Sequence, residues 1–194
     1  MRSLFYLIII ASITLWTGCS DKDSDVNSKP VVQKNQPLPV PKLQTTFKII
    51  DIDQRATTIS LEGAHVKVAK VTQPLVIINL FAPWSAPSCG MIPYLDALQK
   101  RYPKELFVIG IIANSDMSNT QLREFMKKQN ASYFISNGAE NDKLAQALAH
   151  FVKLGEDYPI PLTLLFKNGK YTTHYIGATP IEMIKADIEQ LRRK

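Results

Sequence analysis

At 194 residues, the chain is long enough for one domain plus additional segments, since domains usually run to about 100–200 residues. Its formal net charge of +6 comes from lysines scattered at Lys100, Lys104, Lys127, Lys128, Lys153, Lys167 and Lys170, with a short Arg192-Arg193-Lys194 end. That pattern is solvated surface, not the clustered footprint of a nucleic-acid binder. Two cysteines, three histidines and no close carboxylate cluster fall short of a metal-ligand set. Isolated glycines give no phosphate-binding loop, and no cofactor is expected.

The N-terminus opens on basic Met1-Arg2-Ser3, continues through the apolar run Leu4 to Trp16 and reaches Thr17-Gly18-Cys19-Ser20. This is the layout of a secretory signal peptide over residues 1–18, too short and too badly flanked for a good membrane span. An uncleaved N-terminal anchor is the alternative. Residues 19–45 are polar and proline-rich: Asp21-Lys22-Asp23-Ser24-Asp25, then Pro30, Pro37, Pro39 and Pro41. Such a segment buries too little apolar surface to offset its ordering entropy, which predicts a disordered tether holding the folded part away from a membrane.

The pattern changes over residues 46–194. Phe47 to Asp51 and Thr57 to Leu61 predict two short strands joined by a turn near Asp53-Gln54. Leu75 to Phe81 is apolar without alternation, as a strand buried on both faces should be. Ser88 to Tyr102 places Met91, Leu95, Leu98 and Tyr102 at helical spacing. A second buried strand follows at Leu106 to Ala113, a helix at Thr120 to Gln129, a short strand at Tyr133 to Ile135 and a helix at Asn141 to Val152. Leu162 to Phe166 and Thr172 to Ile176 flank Lys167-Asn168-Gly169-Lys170, a hairpin turn. Thr179-Pro180 opens a last helix, Ile181 to Leu191, with threonine as its cap and proline in its first turn. The order predicts an α/β sandwich around a central mixed β-sheet.

Chemistry concentrates at Phe81-Ala82-Pro83-Trp84-Ser85-Ala86-Pro87-Ser88-Cys89-Gly90-Met91-Ile92-Pro93. This loop resembles the active-site loop of the thioredoxin superfamily, specifically its exported, membrane-anchored TlpA-like branch used in thiol reduction and cytochrome c maturation. The family pattern runs roughly Asn-Phe-Trp-Ala-Thr-Trp-Cys-Pro-Pro-Cys-Arg-Gly-Glu-Met-Pro. Laid on it without a gap, Asn79, Ala82, Trp84, Pro87, Gly90 and Pro93 fall in place. Ser85 and Ser88 then occupy both cysteine positions, and Cys89 occupies the usual Arg or Lys position. Downstream, Ile160-Pro161-Leu162-Thr163-Leu164-Leu165-Phe166-Lys167-Asn168-Gly169 resembles the family's Ile-Pro-Thr strand and hairpin. The resemblance covers about residues 46 to 192. It implies a thioredoxin-like three-layer α/β/α sandwich, with Pro161 as a cis-proline and Ile160 beside it, both lining a groove for an extended substrate.

Dithiol exchange needs a thiolate to attack and a second thiol to resolve the adduct, and serine hydroxyls supply neither. Ser85 is placed to cap the helix, and the Ser88 hydroxyl can bond back to a local carbonyl. No histidine stands beside the loop in sequence, so a hydrolytic serine has no base. Trp84, Met91, Ile92 and Leu95 are expected to pack as core, with an apolar groove remaining between Trp84 and Pro161.

Cys89, in the first turns of a helix whose dipole favours a thiolate, leaves three readings open. It is an incidental thiol, the catalytic residue of a monothiol thiol–disulfide oxidoreductase, or a bridge linking two copies. Leu15-Trp16-Thr17-Gly18-Cys19 also resembles a bacterial lipoprotein signal. That resemblance implies lipidation at Cys19 and a membrane-tethered protein of the bacterial envelope, facing the periplasm. Cys89 is then the lone thiol, and no intramolecular disulfide can form. The combined expectation is a thioredoxin-like fold without dithiol catalysis, binding an extended polypeptide or a protein partner in envelope thiol or cytochrome biogenesis.

Overall fold

The computed structural model describes residues 45–193. The signal peptide, Cys19 and nearly all of the tether lie outside the described residues.

The described chain begins with an antiparallel meander of β1 (Thr46–Ile50), β2 (Ala56–Glu62) and β3 (His65–Val68). The third strand was not expected from sequence: His-Val-Lys-Val is four residues long and carries one alternation, with Val66 buried and Val68 half-buried against the same core. Next comes β4 (Leu75–Phe81), every residue of which is buried. It pairs in parallel with β5 (Leu106–Ile112) after the crossover helix α1 (Ala86–Arg101). The helix starts before the expected Ser88, because Ser85 caps it and Pro87 is tolerated in its first turn. Helix α2 (Asn119–Lys128) follows, opened by a capping box in which Ser118 and Gln121 each bond the other's backbone N–H.

Strand β6 (Phe134–Ser136) lies parallel to β5. Helix α3 (Asn141–Phe151) has no side-chain bond at its N-cap, Glu140. The Glu140 carboxylate instead accepts from the backbone N–H of Lys48 at 2.6 Å, tying the helix to β1. The hairpin of β7 (Leu162–Lys167) and β8 (Lys170–Ile176) turns on Asn168 and Gly169, both at positive φ. Helix α4 (Ile181–Arg193) closes the described chain. Thr179 does not act as its expected cap: its hydroxyl donates to the Gly177 carbonyl.

The strands form one mixed sheet in the order β1-β2-β3-β8-β7-β4-β5-β6. Beyond β1, Asp51 makes an antiparallel bridge to Ser136 at the end of β6, so the first and last strands of that order meet.

Side chains separate onto two faces by strand alternation. Ile77 and Phe81 of β4 pack with Met91, Ile92 and Leu95 of α1, Leu122 of α2 and Ile184 of α4. Val76, Ile78 and Leu80 pack with Leu144 and Leu148 of α3 and with Phe47 and Ile59 of the meander. The helices thus cover both faces of the sheet, and Phe47 and Ile59 of the meander pack on the α3 side.

Helix α1 is tied down by a buried carboxylate. Asp96 is 3% exposed and accepts from the Ser132 N–H at 2.6 Å and the Ser132 hydroxyl at 2.9 Å. Lys100 pairs with its other oxygen at 2.5 Å.

Candidate functional site

The loop between β4 and α1 stands at the carboxyl end of the central strand. Phe81 still bonds across to β5, accepting from the Ala113 N–H at 2.9 Å. The chain then turns through Ala82–Ser85, with the Ser85 N–H bonded to the Ala82 carbonyl at 3.0 Å. The second half of the site arrives through β7. Leu80 pairs with Leu162, so continuing that antiparallel register by one residue sets Pro161 beside Phe81, at the root of the loop. The Ile160–Pro161 bond is cis, and the Pro161 carbonyl accepts from the Gly177 N–H at 2.8 Å. Pro161 is buried, and Ile160 is half-buried against the α3 side of the core.

Trp84 is not the core residue its composition suggested. It is 71% exposed and held by one polar bond, Nε1–H to the Asn114 carbonyl at 3.3 Å. Asn114 sits at positive φ and donates its own N–H to Asp142, which fixes the carbonyl that holds the indole. An aromatic ring presented to solvent and tethered at its polar tip is a contact surface more than a packing element. Met91, Ile92 and Leu95 are core, as expected.

Ser85 is the N-cap of α1. Its backbone is extended, its hydroxyl accepts the Ser88 N–H at 3.4 Å, and its carbonyl accepts the Cys89 N–H at 3.0 Å. Ser88 departs from expectation. It is fully buried, and its hydroxyl does not bond back to a helix carbonyl: Oγ has no protein hydrogen-bond partner. It points with Met91, Ile92 and Leu95 to the sheet side of α1. On β4 the neighbouring polar residue is Asn79, also fully buried, whose Nδ2 donates to Thr163 Oγ1 of β7 at 2.8 Å while Oδ1 has no partner.

Cys89 is half-buried, and its Sγ–H donates to the Pro83 carbonyl at 3.2 Å. Burial pushes its thiol up; the Lys128 charge and the backbone N–H pull against that without reversing it. The thiolate preference expected from the helix terminus is therefore outweighed by desolvation, the opposite of what an attacking thiol needs. Among the described residues no histidine contributes to the hydrogen bonds of this loop, and His174 is taken by Tyr171 Oη at 2.6 Å. Among the described residues no group of His, Cys, Asp and Glu is placed to hold a metal ion, and no helix is long and apolar enough to cross a membrane.

Sequence reasoning missed an apolar extension of the site. An open groove of about 440 Å³ runs between the first turns of α1 and α4, lined by Pro87, Met91 and Tyr94 on one side and Pro180 and Ile181 on the other. Tyr94 and Met183 are both more than half exposed, and Ile176 is half exposed. Helical periodicity hides Tyr94 and Met183, because the same residue types also make core, and Ile176 ends a strand whose inward side is apolar as well. A more enclosed apolar pocket, about 360 Å³ between Phe47 and α3, opens on the opposite face of the sheet from α1.

No family model and no curated protein matches the sequence. Solved structures do match. A thiol:disulfide interchange protein of the thioredoxin family from Chlorobium tepidum superposes with a TM-score of 0.60 at 18% identity, covering 78% of this chain and 97% of that one. A secreted Mycobacterium tuberculosis disulfide oxidoreductase homologous to E. coli DsbE gives a TM-score of 0.53 at 11% identity, covering 74% and 95%. StoA from Bacillus subtilis gives 0.52 at 14% identity, covering 75% and 98%. The fold is therefore thioredoxin-like, as the loop and the Ile160–Pro161 strand implied. At these identities the likeness carries architecture and leaves chemistry to the site itself.

Proposed function

We propose that this chain is an exported, lipid-anchored protein of the thioredoxin superfamily that has given up dithiol exchange and binds an extended polypeptide in envelope thiol or cytochrome biogenesis. The observation that carries this reading is the division within one loop. The two positions that would need thiols are serines, one capping a helix and one sealed in the core, whereas Trp84 beside them remains 71% exposed. Recognition through a groove wall and exposed backbone does not need a thiol. The apolar groove from Pro87 to Ile181 extends the surface available to a bound chain.

A likeness to secreted and thiol:disulfide interchange proteins supports the compartment and the class of client. The signal-like N-terminus supports export, and Cys19 supports the anchor. Intact-mass analysis of membrane-extracted protein tests the anchor: a diacyl or triacyl Cys19 is expected, and an unmodified chain beginning elsewhere refutes it.

The competing reading, a monothiol oxidoreductase through Cys89, is disfavoured by a thiol that is half-buried, bonded to Pro83 and pushed up in pKa. The same features disfavour a Cys89-linked dimer. Insulin-disulfide reduction with a Cys89→Ser control separates binding from exchange. No turnover with any reductant is expected; robust turnover abolished by that change would end the binding-only reading.

A further inference from the structure

Among the described residues three buried side-chain polar atoms lack a partner. Besides Tyr133 Oη, just before β6, they are two atoms beneath the loop, Ser88 Oγ on α1 and Asn79 Oδ1 on β4. They lie on the same side of the sheet. Asn79 shares its face of β4 with Ile77 and Phe81, and Ser88 shares its face of α1 with Met91 and Ile92; all four apolar residues belong to one core cluster. Their hydrogen-bonding capacities are complementary. An amide oxygen can only accept, and a hydroxyl can donate and accept. Were the two in direct contact they would satisfy each other, and neither has a partner within hydrogen-bond distance. Buried polar groups in folded proteins are almost always paired, with ordered water serving where protein atoms do not.

We propose that Ser88 and Asn79 hold one internal water between them, and that Ser88, this water, Asn79 and Thr163 form a polar strut beneath the groove. The water accepts from or donates to the Ser88 hydroxyl and donates to Asn79 Oδ1, while Asn79 Nδ2 already grips Thr163 at 2.8 Å. Thr163 stands two residues after Pro161 on β7. The strut therefore fixes the helix that follows Trp84 against the strand that carries the cis-proline. Ser88 is a positioning residue here, which gives a buried hydroxyl a role that an alanine could not fill. The water stands on the two orphaned atoms alone, and its effect on binding rests on the groove reading above.

The test uses the mature chain and its Ser88→Ala and Thr163→Val variants. Water–protein cross-relaxation by NMR, or a high-resolution crystal structure, reads the site directly. Long-lived water contacts at the Asn79 side-chain amide are expected in the parent and are lost in Ser88→Ala, with a lower thermal midpoint despite the conservative change. Thr163→Val keeps the water and releases Asn79 Nδ2. A dry site, or a Ser88→Ala variant as stable as the parent, overturns the water. A hydrated site with unchanged affinity of Ser88→Ala for a fluorescent reduced, unfolded client peptide overturns the strut. A parent that binds no such peptide refutes the groove reading and leaves the water standing, so the two failures are distinguishable.

Discussion

Replacing Asp96 by alanine should loosen α1 and, with it, the loop that precedes it. The carboxylate accepts two hydrogen bonds from Ser132, at 2.6 and 2.9 Å, across 36 residues of sequence. Bonds to a charged acceptor contribute about 1.5–3 kcal/mol each, and the low end applies because the exposed Ser132 can recruit water once Asp96 is gone. Two such bonds come to about 3 kcal/mol, and alanine recovers roughly 0.5 kcal/mol in helix propensity. The expected net loss is then about 2.5 kcal/mol, or roughly 5–10 °C in Tm for a domain of this size. Lys100, whose side chain is 62% exposed, adds less than about 1 kcal/mol, so Lys100→Met should have a small effect.

The loss also has a pH signature. Burial pushes the Asp96 carboxyl up, but the bonds from Lys100 and Ser132 together outweigh it, so the net shift is downward from the ordinary 3.8. A depressed carboxylate contributes stability that is present above its ordinary value and lost as pH falls through the folded one. Urea unfolding of parent and Asp96→Ala should therefore give a constant difference from neutral pH down to about pH 5 and a shrinking one below the ordinary value. A neutral-pH difference under about 1 kcal/mol, against the 1.5–3 assigned to each bond, would refute this account. So would a difference that grew in acid.

Three further outcomes follow from the same geometry. Ser85→Cys with Ser88→Cys should restore a thiol pair at the helix start and lose two hydrogens on oxidation, read by intact mass; a folded variant without an internal disulfide would mean the loop register is wrong. Gly110→Ala should cost about 1–3 kcal/mol by overpacking, because its Cβ would stand 2.9 Å from the Phe81 ring and 3.1 Å from Ile135. The Phe81 ring is itself stacked on Phe125, with centroids 6.2 Å apart; chemical denaturation checks the cost, and a neutral result would show that this stack yields. Cys89 should react slowly with a maleimide near neutral pH and quickly once unfolded, since burial raises its pKa and Pro83 holds its proton; prompt labelling of folded protein would return it to the reactive class.

Much of the architecture was legible because it is written in short-range patterns. The unbroken apolar run of β4, the helical spacing of α1 and the Asn168-Gly169 turn each declare an element within a dozen residues. Ser85 read as a cap and proved one. What sequence could not carry are facts set by distant partners. Trp84 is exposed because its indole finds a carbonyl at Asn114, 30 residues on. Ser88 is sealed beneath the helix where no carbonyl is aligned with it. Cys89 sits at a helix terminus, which favours its anion, but desolvation prevails. Strand β3 escaped notice because two alternating valines in four residues make too short a periodic signal.

The meeting of β1 with β6 also governs the order in which the molecule can be completed. Asp51 needs Ser136, Lys48 needs Glu140, and His65 needs Lys170. Each joins the opening meander to segments made much later: β1 waits for β6 and α3, and the β3 edge waits for the last hairpin. Pairings of this sequence separation slow folding relative to helical bundles, whose contacts are mostly local. A chain released progressively from a ribosome or a translocation pore would keep its meander provisional throughout. Truncation ahead of β8 should leave that meander unable to close.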